Sequence, residues 1–202
     1  MTQSRNVRQT VTFPAIAVTL LLAVLIGGCG AEDEAADSVV GKGASRRNSA
    51  DIEFARKMIP HHAQAVAMVN LTLGGQARPE LAATAEEIMM QQTGETTKMS
   101  TWLQDWGKPV PRTMIDHVGH TMGDTSMPGA LTKAEFHHLE KAKGREFERM
   151  WLQAMIAHHE GAIQIAKTEQ ANGANPAAKR LAAQMIQIQQ AQLQELRRLL
   201  PD

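Results

Sequence analysis

The sequence is poor in the residues on which many catalytic and binding sites depend. Its 202 residues include one cysteine, no tyrosine, three tryptophans and four phenylalanines. The lone cysteine leaves no partner for an intrachain disulfide. Basic and acidic side chains number 21 each, so the chain lacks the positive charge that marks nucleic-acid-binding domains. Nucleic acid is therefore not an expected partner.

The one long apolar run lies near the N-terminus. Arg5 and Arg8 precede residues 11–26, and small residues follow up to Cys29. The run is short for a membrane span, and the arrangement is typical of a secretory signal. Its end, "LIGGC", resembles a bacterial lipoprotein signal. The resemblance predicts removal of residues 1–28, lipidation of Cys29 and an extracytoplasmic protein anchored to the membrane. A plain signal peptide or an uncleaved anchor is the alternative.

The rest of the chain divides into a tether and a helical domain. Residues 29–49 are polar, contain glycine and show no apolar periodicity, as expected of a flexible tether. Residues 50–202 are rich in alanine, leucine, methionine, glutamine and glutamate, and nowhere show the two-residue alternation of a strand. We therefore predict an all-α domain.

This domain contains an internal duplication. A shift of 97 residues aligns "MIPHHAQAVAM" at residues 58–68 with "MIAHHEGAIQI" at residues 155–165 without a gap. We assign the first repeat to residues 50–105, a connection to residues 106–144 and the second repeat to residues 145–200.

Each repeat is predicted to form a helical hairpin. The first helix covers residues 49–73 and stops at the glycines 74–75. The next helix begins at Pro79, because proline is well tolerated in the first helical turn. In the second repeat, residues 172–173 provide the stop and Pro176 the start. Two such hairpins joined by a long crossover predict a ferritin-like four-helix bundle.

The connection contains a predicted short helix and a cluster of sulfur and imidazole side chains. "TKAE" at residues 132–135 predicts a capping box that opens the helix, and Gly144 is expected to close it. Glu135 and His138 form a single Glu-x-x-His on this helix, which we interpret as a surface feature or an accessory metal site. The cluster consists of Met114, His117, His120, Met122 and Met127. It suits copper capture, or its methionines cap the bundle.

Helical periodicity places both histidines of each repeat on the apolar face of a helix. Four inward imidazoles without partners would cost on the order of 5–10 kcal/mol, comparable with the stability of a whole domain. The histidines are His61, His62, His158 and His159. The second helix of each hairpin offers polar partners, namely Gln92, Glu95, Gln189 and Gln192. The histidines are thus either part of a polar core or metal ligands supported by these residues.

The methionines indicate which metal such a site would take. Met58 and Met155 precede His61 and His158 by three residues, so thioether and imidazole share a helix face. These soft donors favour copper, particularly Cu(I), with Cu(II) also possible, over iron or magnesium. Consecutive histidines point about 100° apart, so we expect one of each pair to be a ligand and the other structural.

Three segments carry a family resemblance. "FARKMIPHHAQAVAM", "MPGALTKAEF" and "WLQAMIAHHEGAIQIA" resemble the bacterial domain-of-unknown-function 305 family over about residues 50–200. The resemblance implies a ferritin-like fold, secretion or lipid anchoring, and copper binding of the kind found in envelope members that protect against copper stress. It carries the metal role to the six residues Met58, His61, His62, Met155, His158 and His159. Two departures are Ala130, where a methionine is frequent, and Gln192, where a glutamate is common.

The sequence thus predicts an envelope-anchored copper-binding protein that sequesters copper or exchanges it with donor or acceptor proteins. We find no nucleophile with an adjacent base, no phosphate loop and no repeated carboxylate pair, so we do not expect an enzyme. Two alternatives remain open at this point. One is a metal-dependent oxidase that uses the same histidines, and the other is a metal-free helical interaction module.

Overall fold

The computed structural model describes residues 46–73, 75–113 and 127–200. Within these ranges the chain forms α-helices and no strand. The helices are α1 (Ser49–Asn70), α2 (Pro79–Asp105), α3 (Lys133–Lys141), α4 (Gly144–Asn172) and α5 (Pro176–Leu199). No helix in the described part is both long and apolar enough to cross a membrane.

Several predicted features lie outside the described residues. They are the signal segment, Cys29, most of the tether, and four members of the Met/His cluster, Met114, His117, His120 and Met122. Met127, the fifth member, is described and buried.

The helices form a bundle of two hairpins. α1 packs on α2, α4 packs on α5, and α1 and α4 lie against each other, while α3 packs on α4. The predicted all-α, ferritin-like architecture is confirmed. The apolar core has two clusters, one around Phe54 and Met58 and the other around Trp151 and Met155. Along both α1 and α4, the histidine pair lies between the residues of one cluster and those of the other.

The start of α1 is capped by its own side chains. The Asn48 side chain accepts hydrogen bonds from the backbone of Ala50 and Asp51, and the Asp51 carboxylate accepts one from the Asn48 N–H. The helix ends at Asn70, earlier than predicted. Residues 71–73 instead form turns closed by bonds to the third preceding carbonyl, which tighten the helix end.

The capping box of α3 is present, but Gly144 does not close this helix. Thr132 accepts from the Glu135 N–H, and the Glu135 carboxylate accepts from the Thr132 N–H at 2.7 Å. α3 ends at Lys141, and Gly144 is the first residue of α4 with a φ of 57°. The prediction that Gly144 closes α3 was wrong. A glycine with a positive φ can reverse the chain before a helix as well as after one.

Candidate metal centre

All four histidines of the repeated pairs lie buried where α1 meets α4. Each has 0% of its surface exposed, and so do Met58 and Met155. The rings of His61 and His158 are 3.8 Å apart between centroids. The fold therefore brings the two Met-x-x-His-His segments together, as the duplication implied. We call the four buried histidines the histidine layer.

His62 and His159 face the second helices of their own hairpins. His62 Nε2 donates to Glu95 Oε2 at 2.7 Å, and His159 Nε2 donates to Gln192 Oε1 at 2.9 Å. Glu95 and Gln192 are equivalent under the shift of 97 residues. The duplication is thus visible in the hydrogen bonds as well as in the sequence.

Gln91 joins these two contacts into one network. Its Nε2 donates to Glu95 Oε1 at 3.2 Å, and its Oε1 accepts from Gln192 Nε2 at 2.9 Å. A continuous chain of hydrogen bonds therefore runs from His62 through three side chains to His159. Sequence reasoning missed Gln91, because the shift places it on Ile188 and no repeat signal marks it.

We call His61 and His158, which face each other, the inner histidines. The inner histidine of the first repeat, His61, contacts a segment that we call the strap (residues 127–131). His61 Nε2 donates to the carbonyl oxygen of Pro128 at 3.0 Å. Gln64 pairs with the backbone of Leu131 in both directions, at 2.9 and 2.7 Å. The strap is thus fixed to α1 on the histidine face.

Two glycines let the strap approach α4 backbone to backbone. A Cβ on Gly161 would lie 1.8 Å from the Pro128 oxygen, and one on Gly129 would lie 2.1 Å from the Ala157 oxygen. Gly129 also has a φ of 72°, which favours glycine. Gly161 is the equivalent of Gln64. The first repeat therefore binds the strap with the side-chain amide of Gln64, whereas the second repeat lets the strap backbone pack directly against its helix at Gly161. A glycine inside a helix, two residues after the histidine pair, was a usable signal for this contact.

The hydrogen bonds define where the imidazole lone pairs lie. In a neutral imidazole, donation through Nε2 leaves a lone pair on Nδ1. The Nδ1 atoms of His61, His62 and His159 are buried and have no hydrogen-bond partner among the described residues. Neither ring nitrogen of His158 has one. Metal-binding histidines commonly donate their other ring N–H to a carboxylate or carbonyl, which is the arrangement around three of these rings.

Burial keeps three of the rings neutral. It lowers the pKa of His61 to about 3, against a small opposing effect of the bond to Pro128. It lowers the pKa of His159 to about 4, opposed by the Gln192 bond and the nearby Met155 carbonyl. Burial and the neighbouring imidazoles hold the pKa of His158 well below its ordinary value. These rings are therefore available as metal ligands at neutral pH without prior loss of a proton.

Two buried amides of the second helices have no hydrogen-bond partners in the described part of the chain. Gln92 and Gln189 are each 1% exposed, and neither atom of either amide has a hydrogen-bond partner among the described residues. An unsatisfied buried donor or acceptor costs about 1–3 kcal/mol. A bound water or ion would satisfy such groups.

The donor chemistry fits copper better than a hard cation. In the described part of the chain, no three His, Cys, Asp or Glu side chains are grouped so that they could hold a metal ion. The carboxylate cluster of a di-iron ferritin is therefore not found among these residues. The inner imidazoles do meet, and Met58 and Met155 are buried three residues before them on the same helices, so the nearby donors are of the soft kind that suits copper.

The predicted Glu-x-x-His of α3 lies on the surface. His137 and His138 are exposed on α3, and His137 contacts Glu140 at 3.3 Å. Glu135 is used by the capping box. Thus, the Glu-x-x-His of α3 is separate from the buried layer.

Comparison with known protein families supports this architecture. The model of the domain of unknown function DUF305 matches residues 51–200. The chain belongs to the DUF305 family. No curated protein matches it.

Two DUF305 structures resemble it. One, from Streptomyces coelicolor and proposed to be secreted, is 29% identical with a TM-score of 0.63, over 73% of this chain and 90% of that one. A DUF305 fragment from Deinococcus radiodurans is 25% identical with a TM-score of 0.66, over 76% and 96%.

The DUF305 chain also resembles structures of a protein named CopM. The Cu(II)-bound form of CopM is 30% identical to it with a TM-score of 0.60, over 73% of this chain and 93% of that one. CopM has also been solved in Cu(I)-bound, silver-bound and apo forms, with 28% identity.

Proposed function

We propose that this DUF305 protein binds copper as its cargo outside the cytoplasm, and sequesters it or hands it on without chemical turnover. The observation that carries the proposal is the buried layer of four histidines, each with at least one ring nitrogen that has no hydrogen-bond partner among the described residues, together with two buried methionines on the same helices. The copper- and silver-bound forms of CopM support the same class of cargo.

Within the layer, the inner pair suits capture of the ion. His61 and His158 face each other, and Met58 and Met155 lie on the same faces one turn away. Imidazole with thioether favours Cu(I) over Cu(II). His62 and His159 anchor the hydrogen-bond network and remain further donors through Nδ1. Gln92 and Gln189 supply buried amides on α2 and α5.

The Met/His cluster is proposed as a capture segment that leads to this layer. Met114, His117, His120 and Met122 precede the strap directly in sequence. Met127 opens the strap and is 7% exposed, and the next residue, Pro128, accepts the hydrogen bond from His61. We propose that copper collected by the cluster is passed to the inner histidines.

Membrane anchoring through Cys29 is part of the proposal. It is supported by the lipoprotein-like signal, and the secretion proposed for the Streptomyces coelicolor protein supports an extracytoplasmic place. We expect Cys29→Ser to move the protein from the membrane fraction to the soluble fraction and to abolish incorporation of a labelled fatty acid. Unchanged fractionation and labelling would contradict the anchor.

The test of copper binding is an anaerobic titration of the purified protein with Cu(I) against a chromophoric chelator. Stoichiometric withdrawal of Cu(I) from the chelator is expected, and its absence would overturn the proposal. Oxygen uptake by the copper-loaded protein with an organic reductant, lost in His61→Ala, would instead indicate an oxidase.

A metal-free helical module is the second candidate. The unbroken hydrogen-bond chain from His62 to His159 favours it, because a polar core can be stabilised in this way without a metal. This candidate predicts a melting temperature that does not respond to copper.

A further inference from the structure

Among the described residues, one carboxylate contacts the histidine layer, although the duplication offers two positions for it. Glu95 and Gln192 are equivalent, and they hold His62 and His159 through matching hydrogen bonds. The first is acidic and the second is neutral. The other buried acidic residues in the described part are Asp51 and Glu169. Each lies ten residues along its helix from the nearest core histidine, or about 15 Å away.

Glu95 contacts one basic side chain among the described residues, that of His62, which is uncharged when it serves as a metal ligand. Its two oxygens accept hydrogen bonds from His62 and Gln91, and its side chain is 7% exposed. No lysine or arginine occurs among the buried residues that the structure describes. A buried carboxylate without a cation is costly, and a bound metal ion is a large local positive charge that can balance it.

We infer that the charge of the single Glu95 carboxylate sets the ratio of the Cu(I) affinity to the Cu(II) affinity of the histidine layer. The inference rests on the proposed function. With neutral imidazoles and thioethers as donors, one carboxylate balances the charge of Cu(I), whereas Cu(II) leaves one positive charge uncompensated in a water-poor layer. Glu95 contacts His62 and acts through it, so it is a positioning and charge-balancing residue.

Two single substitutions change the number of carboxylates in opposite directions. Glu95→Gln removes the only one and weakens the binding of both ions, Cu(II) more because it has twice the charge. We expect the ratio of the Cu(I) to the Cu(II) affinity to rise about tenfold or more. Gln192→Glu adds a second carboxylate at the equivalent position, and should lower this ratio by about the same factor.

The internal duplication provides a matched control. The double substitution Glu95→Gln/Gln192→Glu keeps one carboxylate and moves it to the other hairpin. Gln91 can turn its amide over, so that it donates to the carboxylate at position 192 and accepts from the amide at position 95. The swapped protein should therefore regain the wild-type affinity ratio, which a purely structural role of Glu95 would not restore.

The experiment is a pair of competition titrations of the purified full chain and its three variants, with Cu(I) under anaerobic conditions and with Cu(II) in air. A ratio that rises in Glu95→Gln, falls in Gln192→Glu and returns in the swap supports the inference. An unchanged ratio in the single variants, or a swap that does not restore it, overturns the inference while the proposed function stands. Binding of neither ion by the wild type overturns the proposed function itself. Gln192→Glu, at a half-buried position, tests the inference independently should Glu95→Gln not fold.

Discussion

His61 and His158 lie ring against ring, with centroids 3.8 Å apart and planes tilted by 40°. They are equivalent residues of the two repeats, so each inner histidine faces its own counterpart. Their surroundings differ, because His61 donates to Pro128 whereas His158 has no hydrogen bond with a described residue. The duplicated sequence therefore builds a site with two unequal halves, and the strap contacts only one of the two imidazoles by a hydrogen bond.

The packing of the strap against α4 can be tested by substituting two glycines, one at the contact and one away from it. Gly161→Ala places a Cβ against the Pro128 carbonyl and should lower the free energy of unfolding by about 1–3 kcal/mol, as overpacking does. Gly94→Ala is the control, because this exposed glycine in α2 has open space around its Cα. The control should stabilise the protein by about 0.5–1 kcal/mol. Denaturant unfolding measures both, and equal stability of the two variants would contradict the contact.

Glu169 should make stability fall as the pH rises. Burial, followed by the neighbouring carboxylate of Asp51, raises the pKa of Glu169 to about 8. Asp51 accepts hydrogen bonds from the backbone of Ala174 and Asn175, so it stays close. Between about pH 4.5 and pH 8 the folded protein retains a proton that the unfolded chain loses. The free energy of unfolding should therefore decrease across this range and level off above it.

Glu169→Gln removes this titration and should flatten that part of the pH profile. Glu87→Gln, on the exposed face of α2, is the matched control and should keep the wild-type slope. Denaturant unfolding at intervals from pH 5 to pH 9 provides the comparison. A wild-type profile without a downward slope would show that the Glu169 proton is not retained.

The buried histidines should make the metal-free protein sensitive to acid. Their lowered pKa values mean that the unfolded chain binds protons below about pH 6.5 that the folded protein does not. Stability is thus fully present above pH 6.5 and is lost as the pH falls toward the folded values of about 4 and 3. Between about pH 4.5 and pH 6.5 the titration of Glu169 changes the free energy of unfolding in the opposite direction. The histidine effect is therefore best measured in the Glu169→Gln variant. A flat profile from pH 6.5 to pH 4.5 would contradict the burial of neutral rings.

Copper should stabilise the folded protein through the thioethers as well as the imidazoles. Free Cu(I) at about 100 times its Kd should raise the free energy of unfolding by about 2.7 kcal/mol. Met58→Leu/Met155→Leu keeps the volume of these buried side chains but removes both sulfurs. We expect this variant to remain folded and to show a smaller increase in melting temperature with Cu(I). An undiminished increase would exclude the two methionines as ligands.

The fold was predictable because its signals are local. The 3.6-residue periodicity, the prolines at helix starts and the Thr132 capping box each act within one or two turns, and the duplication repeats them. The burial of His61 and His158 followed from the same periodicity. Helix ends were less certain, as the turns after Asn70 and the position of Gly144 show.

The contacts between elements were not predictable in the same way. Which amide meets which imidazole depends on how α2 and α5 rotate against α1 and α4, and periodicity does not specify that rotation. Gln91 and Gln64 bond residues that are distant in sequence, and neither residue type is repeated at the equivalent position. The sequence therefore predicted the burial of the repeated histidines, whereas their hydrogen-bond network and the contacts of the strap required the structure.

The central claim is that copper binds at the inner histidines. Its most direct test is an anaerobic Cu(I) competition titration of the wild type, of His61→Ala/His158→Ala and of the control His137→Ala/His138→Ala, with circular dichroism to verify folding. The control changes two exposed histidines of α3. We predict tight binding by the wild type and the control, and its loss in the folded inner-histidine variant. Undiminished binding by that variant would place the copper site elsewhere and contradict the account.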